Sequence, residues 1–136
     1  MNFHPDHTVP TEGEVFVFGS NLASRHGKGA ALIARQQFGA QFGISFGYAC
    51  ATSGPPRHSF AIPTKDERLR TLPVDVIQTY VEQFHLHVLS PEYAHLRYFV
   101  TRIGCGLAGY RDSQIAPLFR GFPDSCIFPQ EWVPFL

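Results

Sequence analysis

Two short stretches hold residue types that could handle an anion. In the first, Asn21, Arg25, His26 and Lys28 stand among glycines at 19, 27 and 29. A guanidinium and an ammonium attract negative charge, and an imidazole titrates near neutrality. In the second, Arg102-Ile-Gly-Cys-Gly-Leu-Ala-Gly-Tyr110 has three glycines in nine residues. Glycine lets the backbone come close to a phosphate and donate its N–H groups. The first stretch is not a Walker loop, since no Gly-Lys-Ser/Thr closes it, nor is it GxGxxG with a following acid. Read alone, it fits a plain turn with glycines at positive φ just as well.

The flanking elements favour the anion reading. Val15-Phe-Val-Phe18 predicts a strand, and about Lys28–Phe38 a helix with Ala30, Ile33, Ala34 and Phe38 on one face. A strand, a glycine loop and a helix N-terminus in that order leave unpaired N–H groups where the helix dipole favours negative charge. Residues 1–13 read as an irregular lead-in. A second strand is expected within Phe42–Thr52, a turn at Gly54-Pro55-Pro56, and a third strand at His58–Pro63. The charged run Thr64–Thr71 reads as a solvated loop. Val74, Ile77, Tyr80, Val81, Phe84 and Val88 recur at helical spacing after Pro73, and Ser90-Pro91 ends that helix. Arg97–Thr101 is the fourth strand and feeds the second glycine loop. A helix bearing Ile115, Leu118, Phe119 and Phe122 follows, then a last strand at Ser125–Phe128 and an apolar tail. Strands alternating with helices imply one α/β domain over 1–136, its core about 14–128, with helices on both faces of a sheet.

If the first and fourth strands are neighbours, Asn21–Gly29 and Gly104–Tyr110 face one crevice at the C-terminal strand ends, where open α/β sheets bind ligands. Two sets of N–H donors would then surround a diphosphate. Each charge-assisted bond is worth about 1.5–3 kcal/mol, and four or five of them, less ordering costs, give roughly micromolar affinity.

Composition narrows the class further. The chain has 136 residues, 44% of them hydrophobic, with 11 basic and 11 acidic side chains. Zero formal net charge argues against a protein that grips nucleic acid mainly through its backbone. No apolar run approaches the roughly 20 residues of a membrane span, and the N-terminus lacks the order of a signal peptide. Cys50, Cys105 and Cys126 form no CxxC pair and read as reduced thiols of a cytoplasmic protein. His85 and His87 are spaced for different helix faces, so no metal site is expected, and no cofactor.

Gly27-Lys-Gly-Ala-Ala31 with Phe38-Gly39, and above all Arg102-Ile-Gly-Cys-Gly-Leu107, resemble the macro domain. The likeness is to its branch of terminal ADP-ribose protein glycohydrolases and DNA ADP-ribosyl glycohydrolase antitoxins, and to short phage and bacterial macro-domain-like proteins. It spans roughly residues 14–128. The resemblance implies a three-layer α/β/α mixed sheet whose crevice holds ADP-ribose or a related nucleotide, free or attached to protein or nucleic acid. Carried over, Gly27, Lys28, Gly29 and Ala30 lie against one phosphate and the distal ribose. Gly104, Cys105, Gly106 and Leu107 wrap the other side of the diphosphate. Gly19, Ser20 and Asn21 end the first strand beside the ribose; Ala108, Gly109 and Tyr110 complete the second loop. Tyr110 either closes over the ligand or packs half-buried.

The departures concern chemistry. The hydrolases of that branch place an aspartate after Gly-Cys-Gly-Leu, where this chain has Ala108, and a lysine where it has Thr52-Ser53-Gly54. The adenine-reading aspartate of macro domains follows an early strand; here only Asp6, Glu12 and Glu14 precede the first loop. The expectation is therefore an ADP-ribose binder, with a hydrolase acting on ADP-ribose linkages or on ADP-ribose 1″-phosphate as the alternative. Turnover in that case rests on Asn21, His26 or Lys28. Cys105 is a nucleophile only if its glycines and a helix N-terminus lower its pKa, and the family keeps cysteine there in a backbone role. Asp66 is a further acid–base candidate, and His58 a packing or hydrogen-bonding residue at a strand end.

Overall fold

The computed structural model describes residues 1–5, 8–11, 13–23, 29–38, 45–50 and 57–136. Six strands form one sheet: β1 (Asn2–His4), β2 (Val15–Asn21), β3 (Gly47–Cys50), β4 (His58–Lys65), β5 (Tyr98–Val100) and β6 (Cys126–Pro129). Their spatial order is β1-β6-β5-β2-β4-β3. Only β3 runs antiparallel, against β4; the other pairs are parallel. Among the described residues, three α-helices, α1 (Gly29–Gln37), α2 (Val74–Leu89) and α3 (Asp112–Ile115), complete the frame.

Strand alternation explains the layers. Val15 and Val17 of β2 point to one face with Phe60, Ile62, Tyr98 and Val100, where α2, α3 and Trp132 cover them. Phe16 and Phe18 point to the other with Ala61 and Phe99, where Ala34 of α1 covers them. A strand buried on both faces reads as an unbroken apolar run, which is what Val15–Phe18 is. Aromatic rings line the α1 face: Phe38 stacks on Phe16 at 4.5 Å and His4 on Phe99 at 3.9 Å. Ile33, expected on the apolar face of α1, is instead exposed.

α2 matches its sequence pattern. Ile77, Val81, Phe84 and Val88 are buried on one stripe, and truncating Phe84 to alanine would cost about 3–5 kcal/mol. Pro73 caps the helix rather than joining its first turn, its carbonyl accepting from Val76 and Ile77.

Three expectations need correction. The lead-in contains a strand: β1 pairs with β6, and His4 Nε2 donates to the Val100 carbonyl at 2.7 Å. Three residues are too few for a periodic signal. The single helix expected after the second glycine loop is one α-turn followed by a 3-10 turn, Ala116–Phe119. Pro117 has no N–H for the α-helical ladder, so the tighter turn takes over; Ile115, Phe119 and Phe122 are still buried. The charged run is not simply a solvated loop. Thr64 and Lys65 belong to β4, and Lys65 bridges back to Thr71 around a tight turn. The turn expected at 54–56 lies outside the described residues, as does Gly39.

Candidate functional site

β2 and β5 are neighbours, with Val17 opposite Val100. Their C-terminal ends therefore open side by side, and Thr101 ties them with its amide and its hydroxyl, both donating to the Val17 carbonyl. The chain beyond β5 turns back at once into the second glycine loop.

That loop is shaped by two glycines in the left-handed region, Gly104 at φ 77° and Gly109 at φ 86°. A Cβ on Gly104 would sit 3.2 Å from Ile115 Cδ1, a side chain fully buried in the core. Gly106 differs: its φ is outside that region, and nothing lies within 4 Å of a Cβ there. A need for positive φ at Gly106 is thus excluded, and open space remains in its place. Within the loop, Cys105 N donates to the Arg102 carbonyl, Gly109 N to Gly106 and Tyr110 N to Gly104. Among the described residues, no group accepts from the amides of Gly104, Gly106, Leu107 or Ala108. Gly106 and Leu107 are exposed. Gly104 is buried, and the amides of Gly106, Leu107 and Ala108 follow one another, the order from which a turn can build a partly positive nest.

The β2 side is built as closely. A Cβ on Gly19 would lie 3.4 Å from the Thr64 side chain and 3.7 Å from Gly104 N, so the two strand ends abut through glycine. Register slips between Ser20 and Asn21, which face Pro63 and Lys65, leaving Thr64 as the extra residue of a bulge. Thr64 Oγ1 donates to the Ser20 carbonyl at 3.3 Å. Ser20 is buried and its hydroxyl donates to the Ser45 carbonyl. Asn21 closes β2, half-buried. Gly29 opens α1, and Ala30 packs on its apolar layer. His26, Gly27 and Lys28 lie outside the described residues.

Thr64 and Thr71, with nothing in the sequence to mark them, connect the two sides. Thr71 Oγ1 donates to the Ala108 carbonyl at 2.9 Å, and Leu72 N donates to the Thr64 carbonyl. The Tyr110 hydroxyl donates to the Leu72 carbonyl, and its ring stands beside Gly104. These are the contacts of a packed prop under the loop.

Electrostatics reassign two acid–base candidates. Asp66 Oδ1 accepts from the amides of Arg68 and Arg70, and Oδ2 from Arg70 Nε. The Arg70 amide above all holds its carboxyl below the usual range. Asp66 pins its own turn and is a poor proton acceptor. Burial, with Asp112 beside it, pushes the Cys105 thiol up to about 12. The lowering that a nucleophile would need is absent. His58 is a buried hydrogen-bonding residue: Nε2 donates to the Gly13 carbonyl at 2.7 Å, so Nδ1 accepts from the Tyr48 hydroxyl.

Asp112 starts α3 immediately behind the loop. It accepts from Arg102 Nε at 3.0 Å and Nη2 at 2.7 Å, side-on along one guanidinium edge, and from Trp132 Nε1 at 2.8 Å. Burial raises its pKa, but the Arg102 bonds and the indole outweigh that and hold it below the usual carboxylate range. Sequence pattern does not reveal this cluster, since Trp132 is twenty residues away from its partner. Among the described residues, no group of three His, Cys, Asp or Glu side chains could hold a metal ion. No helix among them is long and apolar enough to cross a membrane.

No family model and no curated protein matches the sequence. Solved structures do. The macrodomain of Mycobacterium tuberculosis DarG superposes with a TM-score of 0.71 at 17% identity, over 94% of this chain and 96% of that one. Thermosipho africanus DarTG, solved in complex with ADP-ribose, matches at TM-score 0.63 and 17% identity, over 87% of this chain but 39% of that longer one. A Bacteroides thetaiotaomicron protein of unknown function matches at TM-score 0.58 and 15% identity, over 88% and 90%. The mixed sheet, its helices on both faces and the near-complete overlap with DarG agree: the chain has the macrodomain fold.

Proposed function

We propose that this protein binds ADP-ribose, or a closely related nucleotide diphosphate, across the C-terminal ends of β2 and β5. The observation that carries the reading is the nest of amides at Gly104, Gly106, Leu107 and Ala108, which have no acceptor among the described residues. A diphosphate supplies acceptors of the right charge and number. The macrodomain fold supports the same ligand, since the Thermosipho africanus protein of that fold was solved with ADP-ribose. In this reading Cys105 contributes its backbone alone, and Gly109 and Tyr110 hold the turn. Gly27, Lys28, Gly29 and Ala30 take the opposite side of the diphosphate, and the strand end Gly19–Asn21 lies toward the distal ribose, with the Ser20 hydroxyl held by Ser45. The acids that precede the first loop, and from which a reader of the adenine amino group would come, are Asp6, Glu12 and Glu14, the first two outside the described residues.

The bound nucleotide is free, or is carried by ADP-ribosylated protein or nucleic acid. Binding rather than hydrolysis is favoured by Ala108, which cannot exchange a proton and whose carbonyl is taken by Thr71. Calorimetric titration tests the proposal. ADP-ribose should bind with roughly micromolar affinity, and AMP and ribose far more weakly. Equal affinity for AMP and ADP-ribose would sink the diphosphate argument.

A further inference from the structure

Arg102 opens the glycine loop and Asp112 follows its end, so their two-pronged ion pair closes residues 103–111 at the base. Trp132 fixes Asp112 from the C-terminal segment. A planar fork bonded through two donors to both carboxylate oxygens sets orientation as well as distance, which a single contact does not. A second observation concerns charge. The Asp112 bonds above all, and more weakly the charge of Glu131, raise the Arg102 pKa, and Glu131 Oε2 is buried without a hydrogen-bond partner among the described residues. The Asp112 carboxylate thus stands behind a loop of amides read as an anion site, with Arg102 paired to it and Glu131 adding further negative charge.

Resting on the ADP-ribose reading, we propose that Arg102 is a positioning residue for the diphosphate loop. It holds the loop closed through Asp112 and cancels the carboxylates of Asp112 and Glu131, which would otherwise repel the ligand through the backbone. Both carboxylates are partly withdrawn from water, so solvent screens them poorly. The guanidinium itself need not touch the nucleotide.

The test compares wild type, Arg102→Gln, Arg102→Lys, Glu131→Gln and the Arg102→Gln/Glu131→Gln double variant. Calorimetry reads ADP-ribose affinity, and amide hydrogen exchange reads the loop without ligand. Arg102→Gln should weaken binding about tenfold, the worth of one charge-assisted contact, and speed exchange at residues 104–108. Adding Glu131→Gln should restore part of the affinity, which a merely structural role for Arg102 does not predict. Arg102→Lys keeps the charge but loses the fork, and should fall between wild type and Arg102→Gln; it carries the comparison should the glutamine variant not fold. Wild-type affinity and exchange in Arg102→Gln would overturn the inference, as would a double variant no better than the single. A wild-type protein that does not bind ADP-ribose refutes the proposed function instead. The exchange data then decide the loop-holding role alone: acceleration supports it, and no change overturns it.

Discussion

Placing a methyl group at Gly104 and, separately, at Gly106 should separate what holds the second loop from what it offers. At Gly104 the backbone is left-handed, with φ 77°. An L-residue there costs about 1–2 kcal/mol. Its Cβ would also meet Ile115 Cδ1 at 3.2 Å and Cγ1 at 3.3 Å. Ile115 has no exposed surface, and overpacking against it adds about 1 kcal/mol or more. Gly104→Ala should therefore lose about 2–4 kcal/mol, out of the roughly 5–15 kcal/mol that holds a domain together. At this size that is about 10 °C in melting temperature. Gly106→Ala meets neither obstacle, and its stability should stay within about 0.5 kcal/mol of wild type. Its cost falls on binding, where the bulkier Gly106→Val should abolish ADP-ribose affinity in a folded domain. Thermal denaturation and calorimetric titration of the three variants suffice. A Gly104→Ala protein as stable as wild type would refute the loop geometry. Wild-type affinity in folded Gly106→Val would mean that the loop does not grip the phosphates.

The remaining expectations follow from the titrating groups and from Ala108. Burial pushes His87 down to about 4, from an ordinary value near 6.5. The unfolded chain then binds the extra proton between these values, so stability is full above pH 6.5 and falls as pH drops toward 4. Denaturant unfolding of wild type and His87→Gln at pH 5 and 7 checks this, and the pH difference should shrink in the variant. Cys105, with its pKa near 12, should resist alkylation at pH 8, while exposed Cys50 is labelled first; mass mapping of iodoacetamide adducts reads the order. Release of ADP-ribose from modified protein or DNA should be slow or nil in single turnover. Any release should drop in Asn21→Ala or His26→Ala, and rapid release surviving both would put the chemistry elsewhere.

Much of the frame was legible because burial leaves a periodic record. Val15–Phe18 had to be a central strand, since an unbroken run of β-branched and aromatic residues suits burial on both faces. The stripe of Ile77, Val81, Phe84 and Val88 had to be a helix against a core. The glycines at 104, 106 and 109 marked a loop of special backbone, but not which glycine bends it and which leaves space. That division depends on Ile115, which only the packing of α3 brings beneath Gly104. Contacts between distant residues left no local pattern either. Thr71 reaches Ala108, Trp132 reaches Asp112, and β1 finds β6 more than 120 residues later. A hydrogen bond between such pairs constrains one atom at each end and imposes no repeat on the sequence between them. The sequence determined by itself the layers and the stretches from which a site is made. Tertiary structure alone decided that β2 and β5 lie side by side, that amides with no acceptor among the described residues gather in the loop beyond β5, and that an ion pair closes that loop behind.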